Sequence, residues 1–221
     1  MAIAFETSVT ASVGTPSAGT LTTPTFNLAS GNLVVVSCRI NTTVTTTPSD
    51  TAGNTYTLIA SQTSTGYHYV WYAYNTSSNA SNAVSLTVNN RDFMSLIATQ
   101  YSGAATATDP LEGNDVATQA GVAGSITSGT FSTSSDTGAI IAIAQTANNT
   151  PTWTAGSGFT VRQVQSSWAH ALEDDLVSVD SLTNTTSSIS YSPSTGNTSL
   201  ITAWFAEPAA SGNTTDFFNM A

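Results

Sequence analysis

Lysine is absent from this chain, and Arg39, Arg91 and Arg162 are its only permanent cations against 13 acidic residues, for a formal net charge of −10. So little positive charge cannot neutralise a row of phosphates, which argues against nucleic-acid binding and against anionic membrane surfaces. Charged residues of either sign make up only 7% of the 221 residues, where about 25% is ordinary. Cysteine occurs once, so no intrachain disulfide exists, and Val34-Val35-Val36-Ser37-Cys38 points to a buried thiol. No apolar run approaches the ~20 residues of a membrane span. The start, Met1-Ala2-Ile3-Ala4-Phe5-Glu6, has neither the basic region nor the long apolar stretch of a secretory signal. Long helical periodicity is missing too.

What replaces charge is hydroxyl: Ser and Thr make up about a third of the chain. Thr suits pleated surfaces, where its branched side chain packs and its hydroxyl pairs across strands. With 40% hydrophobic residues the chain can bury a sizeable core.

One strand-rich pattern occurs twice. Leu33-Val34-Val35-Val36, Ala52-Gly53-Asn54-Thr55-Tyr56-Thr57-Leu58 and Ser95-Leu96-Ile97-Ala98 are followed by Ala139-Ile140-Ile141-Ala142, Ala155-Gly156-Ser157-Gly158-Phe159-Thr160-Val161 and Ser199-Leu200-Ile201-Thr202. His68 and His170 fall in matching places. The continuous runs predict strands covered on both faces. Tyr67 to Tyr74 predicts a strand with Tyr67, Tyr69 and Trp71 on one face and His68, Val70, Tyr72 and Tyr74 on the other. Trp168 to Val179 matches it by position and is expected to be strand rather than helix. Ser102 to Ser125, with Asp109-Pro110, is expected to be the loop joining the halves. The fold class is therefore all-β: an antiparallel, jelly-roll-like β-sandwich in one domain, residues 1–207, built from similar halves at about 25–103 and 126–207. Each half alone carries too little apolar strand, so the halves are expected to share one interior.

Chemistry is sparse. No Gly-x-Ser-x-Gly elbow occurs, and two histidines do not make a triad; ordinary strand histidines are the simpler reading of His68 and His170. No third ligand at metal-binding spacing accompanies them. Glu173, Asp174 and Asp175, with Asp180 nearby, lack the pattern of a calcium loop and read as solvated charges. Asp50 beside Thr51-Ala52-Gly53-Asn54 is most simply a turn hydrogen-bonder. The expectation is no enzyme, no metal and no cofactor. Trp71 and Trp204 look like core anchors, whereas Trp153 and Trp168, near turns, are the pair expected to be exposed and available for sugar stacking. After residue 207 a polar spacer leads to Phe217, Phe218 and Met220, read as a docking peptide within a flexible tail, 208–221.

The run Gly31 to Val36, then Ser49 to Leu58, then Trp71-Tyr72-Ala73-Tyr74, then Ala98 to Gly103 resembles a recurrent β-sandwich module of bacteriophage virion proteins and bacterial surface proteins. The resemblance covers about residues 25 to 207 and is one of turns and strands, not of a site. It implies a structural or adhesive role with no catalytic residue to carry over. Lack of a signal and anchor favours the phage version: a capsid decoration, fibre or tail protein, made in the host cytoplasm and used on the virion surface. Its partners would be itself, with a trimer as the working symmetry, and the major capsid or other virion proteins. The alternative is an extracellular carbohydrate-binding or adhesin module whose partner is a glycan.

Overall fold

The structure, a computed structural model, describes residues 2–14, 17–63, 66–90, 93–120, 124–132, 137–146, 151–165, 170–177, 185–192 and 196–208. The first half contains β1 (Ala4–Val13), β2 (Gly19–Thr22), β3 (Phe26–Leu28), β4 (Leu33–Ile40), β5 (Ser49–Asp50), β6 (Thr57–Gln62), β7 (Tyr67–Ala73), β8 (Asn79–Asn82), β9 (Val84–Val88) and β10 (Met94–Ser102). The second contains β11 (Leu111–Gln119), β12 (Ser125–Thr127), β13 (Gly138–Thr146), β14 (Thr152–Thr154), β15 (Thr160–Gln165), β16 (His170–Val177), β17 (Ser188–Ser192) and β18 (Thr198–Ala206). Among the described residues no helix occurs, and the fold is an antiparallel β-sandwich built from two halves.

Apart from the two-stranded sheet β3-β8 of the first half, which has no counterpart among the described residues, the halves share one topology. A five-stranded sheet ordered β1-β10-β4-β7-β6 is matched strand for strand by β11-β18-β13-β16-β15, and the small sheet β2-β9-β5 by β12-β17-β14. Registers match as well: Leu33 pairs with Tyr101 as Ala139 pairs with Phe205, and Arg39 with His68 as Gln145 with His170. The two large sheets stack face to face, with β1 against β15 and β6 against β11, the exchange that an approximate two-fold axis requires.

Side-chain alternation then builds layers. On β4, Val34, Val36, Cys38 and Ile40 point outward into a cluster with Phe26, Leu28, Val84 and Leu86 of the first half's small strands. Leu33 and Val35 point inward, where they meet Val70, Tyr72, Ile97, Ile141, Leu172, Ile201 and Phe205. On the far side Ala142, Ala144 and Leu200 pack against Ile126, Trp153, Ile189 and Tyr191. The single shared interior expected from sequence is thus a central cluster flanked by an outer cluster in each half. The large sheets are covered on both faces, which is why β4 and β13 read as unbroken apolar runs. Cys38 is fully buried and desolvation pushes its thiol up; Trp71 and Trp204 are core residues as expected.

Two expectations need correction. The segment 102–125 is not all loop, because β11 occupies Leu111–Gln119 as an edge strand beside β18. An edge strand is half-exposed, so Glu112, Gly113, Asn114 and Asp115 are tolerated and hide the β pattern. In addition, Asp174 is buried rather than solvated.

All four edges of the large sheets carry a register shift: Phe5/Thr7 in β1, Leu111/Gly113 in β11, Leu58/Ala60 in β6 and Val161/Gln163 in β15. Bulges obstruct edge-to-edge pairing with another chain, a task often given to lysine, which this chain lacks.

Asp50 serves the turn, as expected. Its carboxylate accepts from Asn54 N and Nδ2 at 2.9 and 2.7 Å, from Tyr56 Oη at 3.0 Å and from Asn82 Nδ2 at 3.3 Å. Asp50→Ala removes the acceptor for all four donors. It is expected to lower unfolding free energy by about 1–3 kcal/mol, read from urea denaturation; an unchanged midpoint would show the turn is held by other contacts.

Candidate functional site

The matching positions of His68 and His170 bring them together. β7 and β16 are equivalent inner strands, so alternation sends both rings into the space between the large sheets. Their centroids lie 5.5 Å apart at 88°. Each sits in a row of buried polar partners: Arg39 and Ser95 pair in register beside His68, and Gln145 and Ser199 beside His170. Hydrogen bonds then cross between the halves. His170 Nε2 meets Ser37 Oγ at 2.6 Å and its Nδ1 meets Ser95 Oγ at 3.1 Å, while His68 Nδ1 meets Ser199 Oγ at 3.1 Å. Gln145 Nε2 donates to Ser199 Oγ at 3.0 Å, and Arg39 donates to Phe93 O at 2.7 Å.

Both rings are held neutral. Burial lowers His68 to about 3. His170 lies well below its ordinary value, through burial first and then the charges of His68 and Arg39. A neutral imidazole donates from one nitrogen and accepts at the other, so one of the two serines on His170 accepts and the other donates. A serine hydroxyl 2.6 Å from an imidazole is the spacing of an activated nucleophile. However, Ser37, Ser95, His68, His170 and Ser199 are all 0% exposed, so no substrate reaches them, and the second nitrogen of His170 holds a hydroxyl, not a carboxylate. The arrangement is suited to bolting the halves together with a polar, uncharged network.

A second buried polar group lies farther along β16. Arg162 Nε meets Asp174 Oδ1 at 2.8 Å, with side-chain exposures of 24% and 0%, and the guanidinium sits 4.8 Å from the Phe5 ring centroid. Burial pushes Asp174 up from the usual carboxylate range, while Arg162 and then Tyr101 pull it back. Among the described residues, neither Tyr101 Oη nor Asp174 Oδ2 has a hydrogen bond of normal geometry. The two groups are still close enough that the carboxylate, after burial itself, raises the Tyr101 hydroxyl.

Of the two tryptophans expected to be exposed, Trp153 is buried. It is only 8% exposed and packs against Tyr191, their centroids 5.6 Å apart, because β14 turns the ring into the outer cluster of the second half. Trp168, Phe217, Phe218 and Met220 lie outside the described residues, as do the side chains of Glu173 and Asp175. No group of three or more His, Cys, Asp or Glu placed to hold a metal ion occurs among the described residues.

Sequence reasoning missed a groove of about 500 Å³ beside β1, β3 and β10. Its walls are mostly polar, from Glu6, Thr7, Asn27, Asn32, Gln100 and Ser102, with Val9, Phe26 and Ala29 as the apolar portion. Comparison of this chain with protein-family models, with curated proteins and with solved structures gives no match.

Proposed function

We propose that this protein is a non-enzymatic structural component of the exterior of a virus particle, a phage capsid decoration protein or a related fibre or tail component. The observation that carries the reading is the sealed His68–His170 network: the histidine and serine groups best arranged for chemistry are spent joining two equivalent half-sandwiches. What remains for function is shape, surface and attachment. The acidic, lysine-free shell favours exposure to water and repels packaged nucleic acid. Bulged edges let many copies sit side by side without strand pairing.

Attachment is assigned to the tail, 208–221, through Phe217, Phe218 and Met220 on a neighbouring copy or a capsid subunit, with self-association around a symmetry axis. Burying two phenylalanines contributes about 4–6 kcal/mol before ordering costs. Deleting residues 209–221 is expected to weaken assembly or particle attachment by about 100-fold or more while leaving the unfolding midpoint unchanged. Light scattering and co-sedimentation with particles read this directly; undiminished assembly of the truncated chain would overturn the attachment role.

A further inference from the structure

We propose that the groove beside β1, β3 and β10 is a binding site for a neutral, hydroxyl-bearing ligand, in chemical class a sugar residue. The same place differs between the two halves. By register, Gln100 of β10 corresponds to Trp204 of β18, since they sit opposite Thr7 and Gly113, each just past the edge-strand bulge. Glu6 and Glu112 are the bulge residues themselves, and Asn32 precedes β4 where Gly138 begins β13.

In the second half this place is closed. Trp204 is 1% exposed, and its Nε1 donates to Glu112 Oε2 at 3.0 Å. A Cβ on Gly138 would lie 2.8 Å from the indole Cζ2 and 2.2 Å from Phe205 O, so the missing side chain is what admits the ring. In the first half two amides stand where the indole and the glycine were, around the open groove. Gln100 is only 3% exposed, and its buried Oε1 has no hydrogen-bond partner among the described residues. A buried acceptor without a donor is destabilising, so the amide is favoured to turn toward the groove, where a ligand hydroxyl supplies the donor. Glu6 spends Oε1 on the Ser102 hydroxyl at 2.5 Å, which leaves its second oxygen for another donor.

Ligand class follows from the donor set. Amides of Asn27, Asn32 and Gln100 both donate and accept, and a carboxylate accepts, which matches the mixed capacity of sugar hydroxyls. An anion is disfavoured by Glu6 and by the net charge of −10. A cation would want a second carboxylate, and Glu6 is the one acid among the lining residues. An apolar ligand would desolvate amides without replacing their bonds. The groove's volume lies within the range of about 300–1,000 Å³ usual for small-molecule sites.

The test uses the full chain. A glycan array is screened first, and the methyl glycosides of glucose, galactose, mannose and N-acetylglucosamine are then titrated by NMR with backbone amides observed. Expected is retention of at least one neutral glycan, with shifts confined to β1, β3 and β10. Gln100→Leu should weaken it at least tenfold, and so should Glu6→Ala, an exposed position that keeps the test alive if the first variant does not fold. Asn32→Gly with Gln100→Trp, which copies the second half, should abolish it. No retained neutral glycan, retention of anionic glycans only, or retention indifferent to these variants would overturn the proposal. This inference does not rest on the virion reading: a null array leaves tail-dependent assembly untouched, and assembly without the tail leaves the groove untouched.

Discussion

Lowering the pH from 7 to 4 is expected to remove a large share of this protein's stability, through His68 and His170. Burial depresses both histidines in the folded state, His68 to about 3 and His170 well below its ordinary value. Unfolded, each titrates near pH 6.5. The unfolded chain therefore binds more protons than the folded one below that pH. The stability these groups permit is fully present above pH 6.5 and is lost as pH falls toward the folded values. Each histidine should cost about 1.4 kcal/mol per pH unit in that window, or about 3 kcal/mol at pH 4 for His68 alone. Total stabilities of about 5–15 kcal/mol are typical, so the loss is large. Protonation would place a second positive charge beside Arg39, and the partners of both rings on β4, β10 and β18 are hydroxyls, not carboxylates. Asp174 acts in the opposite sense: its raised folded value means that acid relieves a buried charge. Urea denaturation across pH 7 to 4 checks this. His68→Gln should flatten the slope by about 1.4 kcal/mol per unit, and Asp174→Asn should steepen it. A slope unmoved by His68→Gln would sink the account.

How much of this was legible in the sequence depends on what each residue faces. Leu33–Ile40 and Gly138–Thr146 announced themselves because both faces of their sheets are covered, and the repeat put His68 and His170 in equivalent places before any contact was known. Chain order could not show that the second sheet is turned over against the first, so the pairing of those rings emerged only from the stack. Edge strands were obscured for the reason that makes them edges. β1 and β11 bury one face partially, and residues such as Glu6, Glu112 and Asp115 break their apolar alternation. Trp153 misled because Pro151 suggests an exposed turn, whereas the strand that follows caps an outer cluster. The groove is the least legible feature, since it exists as a difference between the halves. Gln100 against Trp204 has no meaning until registers align them.

Arg162→Leu is the second large effect, an expected loss of about 3–5 kcal/mol at pH 7, because it strands a buried carboxylate rather than merely deleting a contact. The sequence Leu172-Glu173-Asp174-Asp175 looks like a solvated acidic stretch. Alternation nevertheless turns Asp174 inward with Leu172 and His170, and Arg162 reaches it from the neighbouring strand β15. Arg162 also caps Phe5 of the other half, whose ring meets Tyr101 at 6.0 Å, so one side chain joins an ion pair to the seam between the halves. If the unpaired charge dominates, Arg162→Leu with Asp174→Asn should recover most of the loss, and the single variant should regain stability as acid protonates Asp174. If packing on Phe5 dominates, the double variant stays as unstable as the single one. Urea denaturation of the four-member cycle at pH 7 separates the two, and a coupling of less than about 1 kcal/mol would show that the pair does not act as a unit.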